Sequence, residues 1–140
     1  LSLLRSTSQL PDPALRTATH HPRMRRAIGS LLYAYPERMD ASTSFGDAVA
    51  LRSAEAFWPT IRSGLHYTFR DDVDVPTTIA WGTEDRLLPY RQAGRAARLL
   101  PHATHVPLPG SGHVPMRDDP DRITRLVVET VEGARERRAA

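Results

Sequence analysis

The sequence predicts an α/β fold: two parallel strands with flanking helices, preceded by a helical segment. Three observations predict it. Apolar residues recur at three- and four-residue spacing through residues 1–74. Two short runs of strand character follow, at residues 77–81 and 103–108, each bounded by Pro or Gly. From Thr77 to Leu108 is 32 residues, close to the roughly 30 of a βαβ unit, whose crossover makes its strands parallel.

In the first segment Pro22 suits a first helical position, and Met24, Ile28, Leu31, Leu32 and Tyr35 form one apolar stripe until Pro36 stops it. A second helix is expected from Ser44 as N-cap with Asp47 in its first turn. Val49, Leu51, Ala54, Phe57, Trp58, Ile61 and Leu65 give it a broad apolar face, and Pro59 kinks or divides it. After the acidic stretch 70–74, the run Thr77 to Trp81 reads as a buried strand between Pro76 and Gly82. Residues 89–100 are helical, with Ala93, Ala97 and Leu100 on one face and Pro101 as the stop. Pro107 cannot donate to a ladder, which places the second strand at a sheet edge. Asp119 as N-cap, Pro120, then Ile123, Leu126, Val127 and Val131 signpost the last helix, with Gly133 just past its end and residues 132–140 as a frayed tail. The division is 1–74, helical, and 75–140, a βαβα lobe.

Composition excludes several functions. The 140 residues suit one ordinary domain, and the absence of Cys removes disulfides and thiolate metal sites. No apolar run approaches the roughly 20 residues that span a bilayer, and no signal-peptide pattern precedes the first Pro-rich turn. A soluble, cytoplasmic protein without a membrane partner is the expectation. The 19 basic residues are all Arg against 16 acids, a formal +3. Residues 1–70 hold 9 Arg and 5 acids, whereas 71–140 hold 10 Arg and 11 acids. An Arg-only, Ala- and Pro-rich chain reads as coding bias, so no nucleic-acid partner is expected, and the Arg runs near Met24 and at the C-terminus read as solvated faces.

Sites on parallel sheets lie where the strands end. The loop after the first strand reads G-T-E-D-R-L-L-P and presents Asp85; the loop after the second reads P-G-S-G-H-V-P-M and presents His113 behind a glycine pair. Neighbouring strands are about 4.8 Å apart, so a carboxylate and an imidazole leaving their ends can hydrogen-bond. Asp85 would then accept the Nδ1 proton of His113, fix its tautomer and leave Nε2 as a general base. Each residue also has a plain use, Asp85 as the cap of the turn near Pro89 and His113 bonded to backbone.

The motifs W-G-T-E-D-R-L-L-P and L-P-G-S-G-H-V-P-M, with the helix and edge strand between them, resemble the C-terminal part of the α/β-hydrolase family over about residues 75–131. The resemblance implies that Asp85 is the triad acid, His113 the triad histidine, and the helical segment a cap. It implies an esterase-like hydrolase that attacks acyl compounds through a Ser-His-Asp triad and binds a small-molecule substrate. The sequence departs from the family in having no G-x-S-x-G elbow and no H-G-G-type segment for an oxyanion hole. With Leu1 rather than Met at its start, the chain is expected to be a fragment that lacks the nucleophile and is inactive alone. Two alternatives are an Asp-nucleophile relative of the epoxide hydrolase or dehalogenase type and a non-catalytic binding module.

The remaining candidates carry less. Glu84 is the rival acid, and Ser111 lies two residues from His113 without the strand-to-helix turn of a nucleophile. His20-His21 and His102-x-x-His105 lack a third ligand, so no metal is expected, and no cofactor. Tyr33, Tyr35 and Tyr67 are core residues by spacing, with a cap pocket as the other use. Oligomeric state is not legible.

Overall fold

The computed structural model describes residues 2–69 and 73–139. The chain forms two compact units, one of Leu1–Ser30 with Tyr35–Thr68 and one of Leu31–Ala34 with Phe69–Ala140.

The first unit is helical: α1 (Ser2–Ser8), α2 (Asp12–His20), α3 (Pro22–Gly29), α4 (Ala41–Ser53) and α5 (Phe57–His66), with a 3-10 turn at Pro36–Arg38. Leu15, Ala18 and Thr19 of α2 are buried at the i, i+3, i+4 spacing of one helix face, and α4 packs on α1 and α2. Arg5 donates to the Leu51 carbonyl. Arg52 pairs with Asp12 at 2.7 Å, and the Arg16 guanidinium lies 4.1 Å from the Phe45 ring centroid.

Three expectations are corrected here. The helix from Pro22 does not reach Tyr35 but ends at Gly29. Beyond it the Leu32 carbonyl accepts from Val114 N–H, and Ala34 N–H donates to Asp118, so tertiary partners take the groups that a longer helix would use. The cap of α4 is Asp40, not Ser44: the Asp40 carboxylate accepts from Thr43 N–H at 2.7 Å and from the Ser42 hydroxyl at 2.6 Å, while Ser44 Oγ donates back to the Asp40 carbonyl inside the helix. The break before α5 falls at residues 54–56, and Pro59 sits in the first turn of α5, where no intrahelical partner awaits its missing N–H. No residue of α4 or α5 is fully buried, and Leu65 is 76% exposed.

Arg25 overturns the reading of its run as a solvated face. Its guanidinium donates to the carbonyls of Thr19 (2.7 Å), His20 (3.1 Å) and Glu37 (2.8 Å), tying the last turn of α2 to the 3-10 turn.

In the second unit β1 (Thr78–Gly82) and β2 (Thr104–Leu108) pair in parallel, Thr78 opposite Thr104 and Gly82 opposite Leu108. A 3-10 turn at Tyr90–Gln92 leads into α6 (Ala93–Leu99), and α7 (Pro115–Asp118) precedes α8 (Pro120–Ala139). The parallel βαβ unit thus forms where the spacing predicts it. Thr104 N–H donates to Thr77, and the Leu108 carbonyl accepts from Thr83 N–H, so the even-numbered residues of β2 face β1. Pro107 faces away, where its missing N–H costs no ladder bond, and its carbonyl accepts from Arg122 at 2.9 Å. Thr78 and Thr130 hydroxyls meet at 2.7 Å, joining β1 to α8. Asp119 accepts from Arg122 N–H as the expected cap of α8, but Gly133 does not end that helix. Among the described residues only Gly110 has positive φ, and good helix formers after Gly133 carry the helix to Ala139, so residues 132–139 are helical rather than a frayed tail. Among the described residues no helix is long and apolar enough to cross a membrane.

Candidate active site

Both loops that leave the strand ends are laced together by backbone. Thr83 N–H donates to Leu108, Glu84 N–H to Ser111, and Gly110 N–H to Thr83 Oγ1. Gly110, at φ 76°, turns the second loop back. The approach demands glycine: a Cβ on Gly82 would lie 2.3 Å from the Gly112 carbonyl oxygen, and one on Gly112 would lie 2.7 Å from Ala34 N.

That lacing puts the ends of β1 and β2 in register, and Asp85 and His113 meet there. His113 Nδ1 lies 3.0 Å from Asp85 Oδ2. A carboxylate only accepts, so the neutral ring carries its proton on Nδ1 and offers the Nε2 lone pair. Asp85 Oδ1 accepts from Leu87 N–H at 2.9 Å and Leu88 N–H at 2.8 Å. One oxygen thus caps the turn and the other faces the imidazole. The Asp85 side chain is 6% exposed and that of His113 30%, which leaves the acid shielded and the ring reachable.

His113 is also held from both flanks. Gly112 N–H donates to Asp118 Oδ2 at 2.7 Å, Ala34 N–H donates to both Asp118 oxygens at 3.1 and 3.2 Å, and Val114 N–H donates to the Leu32 carbonyl at 3.0 Å. Sequence reasoning passed over Asp118 and Thr83. The pair Asp118-Asp119 before Pro120 was the available signal, but only its second member has the spacing of a cap.

The other candidates do not join the Asp85–His113 pair. Glu84 is exposed, and Ser111, 2% exposed, spends its backbone groups on lacing the loops. His105 Nε2 contacts the Leu100 carbonyl at 2.9 Å, and His20, His21 and His102 are exposed. Among the described residues no group of His, Asp or Glu could hold a metal ion. Tyr33 is buried, but Tyr35 and Tyr67 are 41% and 69% exposed, because the helix that would have sunk Tyr35 ends earlier and Tyr67 follows the last turn of α5.

The model of the alpha/beta hydrolase family matches residues 3–126. The chain belongs to the α/β-hydrolase family. Uncharacterized proteins of Mycobacterium tuberculosis and Mycobacterium bovis are each 39% identical to this α/β-hydrolase chain over 69 residues, which cover 47% of it and 20% of their own length. The chain thus matches about a fifth of these curated relatives. A solved membrane phospholipase A, a bacterial virulence factor, superposes with a TM-score of 0.59 at 19% identity, over 86% of this chain and 41% of that one, a likeness of fold. Within an α/β-hydrolase, a G-x-S-x-G elbow would supply the nucleophile, and no serine of this sequence has that context.

Proposed function

We propose that this chain is the acid–base part of an esterase-like α/β-hydrolase that cleaves small acyl compounds, with Asp85 and His113 as two members of a Ser-His-Asp triad. The helical unit is its cap. The nucleophile and the oxyanion amides come from sequence outside these 140 residues. The serine hydroxyl would give its proton to His113 Nε2 as it attacks the carbonyl, and His113 would return it to the leaving alkoxide. Asp85 would hold the ring in the productive tautomer and stabilise the imidazolium. The observation that supports this reading most directly is the 3.0 Å contact between His113 Nδ1 and Asp85 Oδ2.

Without a nucleophile or oxyanion donors the covalent step is missing, and so is the charge stabilisation that is the largest contribution in such sites. The chain alone should therefore turn over p-nitrophenyl acetate no faster than its His113→Ala variant and take no label from a fluorophosphonate. Joined to a segment that carries the nucleophile elbow, it should turn over, and Asp85→Asn should then lower kcat by roughly 10⁴. An effect under tenfold would remove Asp85 from this role, and an elbow of the form G-x-D-x-G would replace the serine with a carboxylate nucleophile.

A further inference from the structure

We infer that Asp118 is a positioning residue for His113. The inference rests on the Asp85–His113 reading above and deepens it. His113 has two means of support. Its ring is held by Asp85, but a ring contact cannot by itself fix where the Cα sits; that falls to residues 112 and 114. Val114 is tied by the Leu32 carbonyl, and Gly112 is tied by Asp118 Oδ2 at 2.7 Å. The same carboxylate reaches Ala34 N–H with both oxygens. Asp118 therefore clamps the residue before His113 to the segment Leu31–Ala34, whose own carbonyl clamps the residue after it.

The acceptor must be a carboxylate for this to work. Bonds to an ionised acceptor are roughly twice as strong as neutral ones, and three N–H contacts fall on two oxygens. An amide has one acceptor oxygen. In Asp118→Asn the single oxygen in the Oδ2 place still accepts from Gly112 N–H, but without the charge, and the NH₂ group in the Oδ1 place faces Ala34 N–H, donor against donor. Gly112 is itself buried, and its absent Cβ lets Ala34 N, the Leu32 carbonyl and Tyr33 come close. A side chain at position 112 would therefore press on the backbone of residues 32–34. If the loop loosens, the ring loses its fixed distance to Asp85, and the Nδ1 proton is no longer held there.

The test reads the His113 ring directly, by ¹⁵N imidazole NMR on the full chain, above the pH at which the ring is neutral. The parent should show the proton on Nδ1. Asp118→Asn should lower the Nδ1-protonated fraction at least about twofold and speed exchange of the Gly112 amide by about tenfold or more, the loss expected for one charge-assisted bond. Thr130→Val, which removes the Thr78–Thr130 contact, serves as a control that weakens the same unit and should leave the tautomer unchanged. A parent with Nδ1 protonated and an Asp118→Asn variant with the same tautomer would overturn the role of Asp118 and spare the dyad. A parent protonated on Nε2 would overturn the dyad, and the inference with it. Should Asp118→Asn not fold, Asp118→Glu keeps the charge on a longer arm and displaces the acceptor; the same loss of the Nδ1 form supports the role, and an unmoved tautomer refutes it.

Discussion

Asp85 divides its two oxygens between backbone and imidazole, and this division makes it sensitive to a change as small as an amide. Asn at position 85 can keep its oxygen on the Leu87 and Leu88 amides only by presenting NH₂ to His113, which forces the ring proton to Nε2 and takes away the Nε2 lone pair. Gly82 is as exacting for a steric reason. A methyl group there would press on the carbonyl oxygens of Gly112 and Ser111, at 2.3 and 2.4 Å, and backbone cannot turn aside as a side chain can. Gly82→Ala is therefore expected to cost about 3 kcal/mol and to part the two loops; urea titration measures the first and the His113 tautomer the second. At this scale Asp85 and His113 were legible because sequence spacing fixes what stands at a strand end. Asp118 was not, because its partners are backbone N–H groups, which every residue carries and no motif spells.

Helix interiors were easier to read than helix ends. The stripe beginning at Met24 continues in the sequence to Tyr35, yet α3 stops at Gly29, because the Val114 N–H and the Asp118 carboxylate, far along the chain, compete for Leu32 and Ala34 and no local pattern records them. Gly133 resembles a stop, but a glycine ends a helix only where the chain turns left-handed or its carbonyls find other partners, and Ala134 to Arg137 are residues that prefer to continue. Gly133→Ala follows as a stabilising change: the nearest atom to the added methyl is an Arg137 guanidinium nitrogen at 3.7 Å, the end of a flexible side chain, and the gain should be about 1 kcal/mol by thermal melting. The cap of α4 predicts a pH effect. The Ser42 hydroxyl first, and then Thr43, hold the Asp40 carboxyl well below the usual carboxylate range. Its folded value lies under its unfolded one, so the stabilisation is present above the ordinary carboxylate range and is lost as pH falls through that range toward the folded value. Amide exchange in the first turn of α4 should therefore accelerate in acid once intrinsic rates are removed, and Asp40→Asn, which keeps an acceptor without a charge, should flatten the response.

The fold class and, apart from the short α7, the order of strands and helices after Thr77 were legible in the sequence, since strand, turn and crossover lengths are fixed by geometry. The extent of the interior was not. Among the described residues the fully covered apolar side chains are few, with Leu15 and Leu108 the largest, while Val127, Val128 and Val131 of α8 stay 45–58% exposed. Unfolding should expose correspondingly little new surface. A urea transition with a slope near or below about 1 kcal/mol/M, and light scattering that rises with protein concentration, are the expected results; a steep single transition without scattering would contradict them.

Pro107 gives the two-stranded sheet a handed future. On the flank of β2 turned from β1, Pro107 offers no donor and its own carbonyl is occupied by Arg122, so an incoming strand would find that border shut there. Recruitment has to proceed from the opposite margin, beside Thr78, Ala80 and Gly82, and a single imino acid thereby settles the direction in which this small sheet can grow.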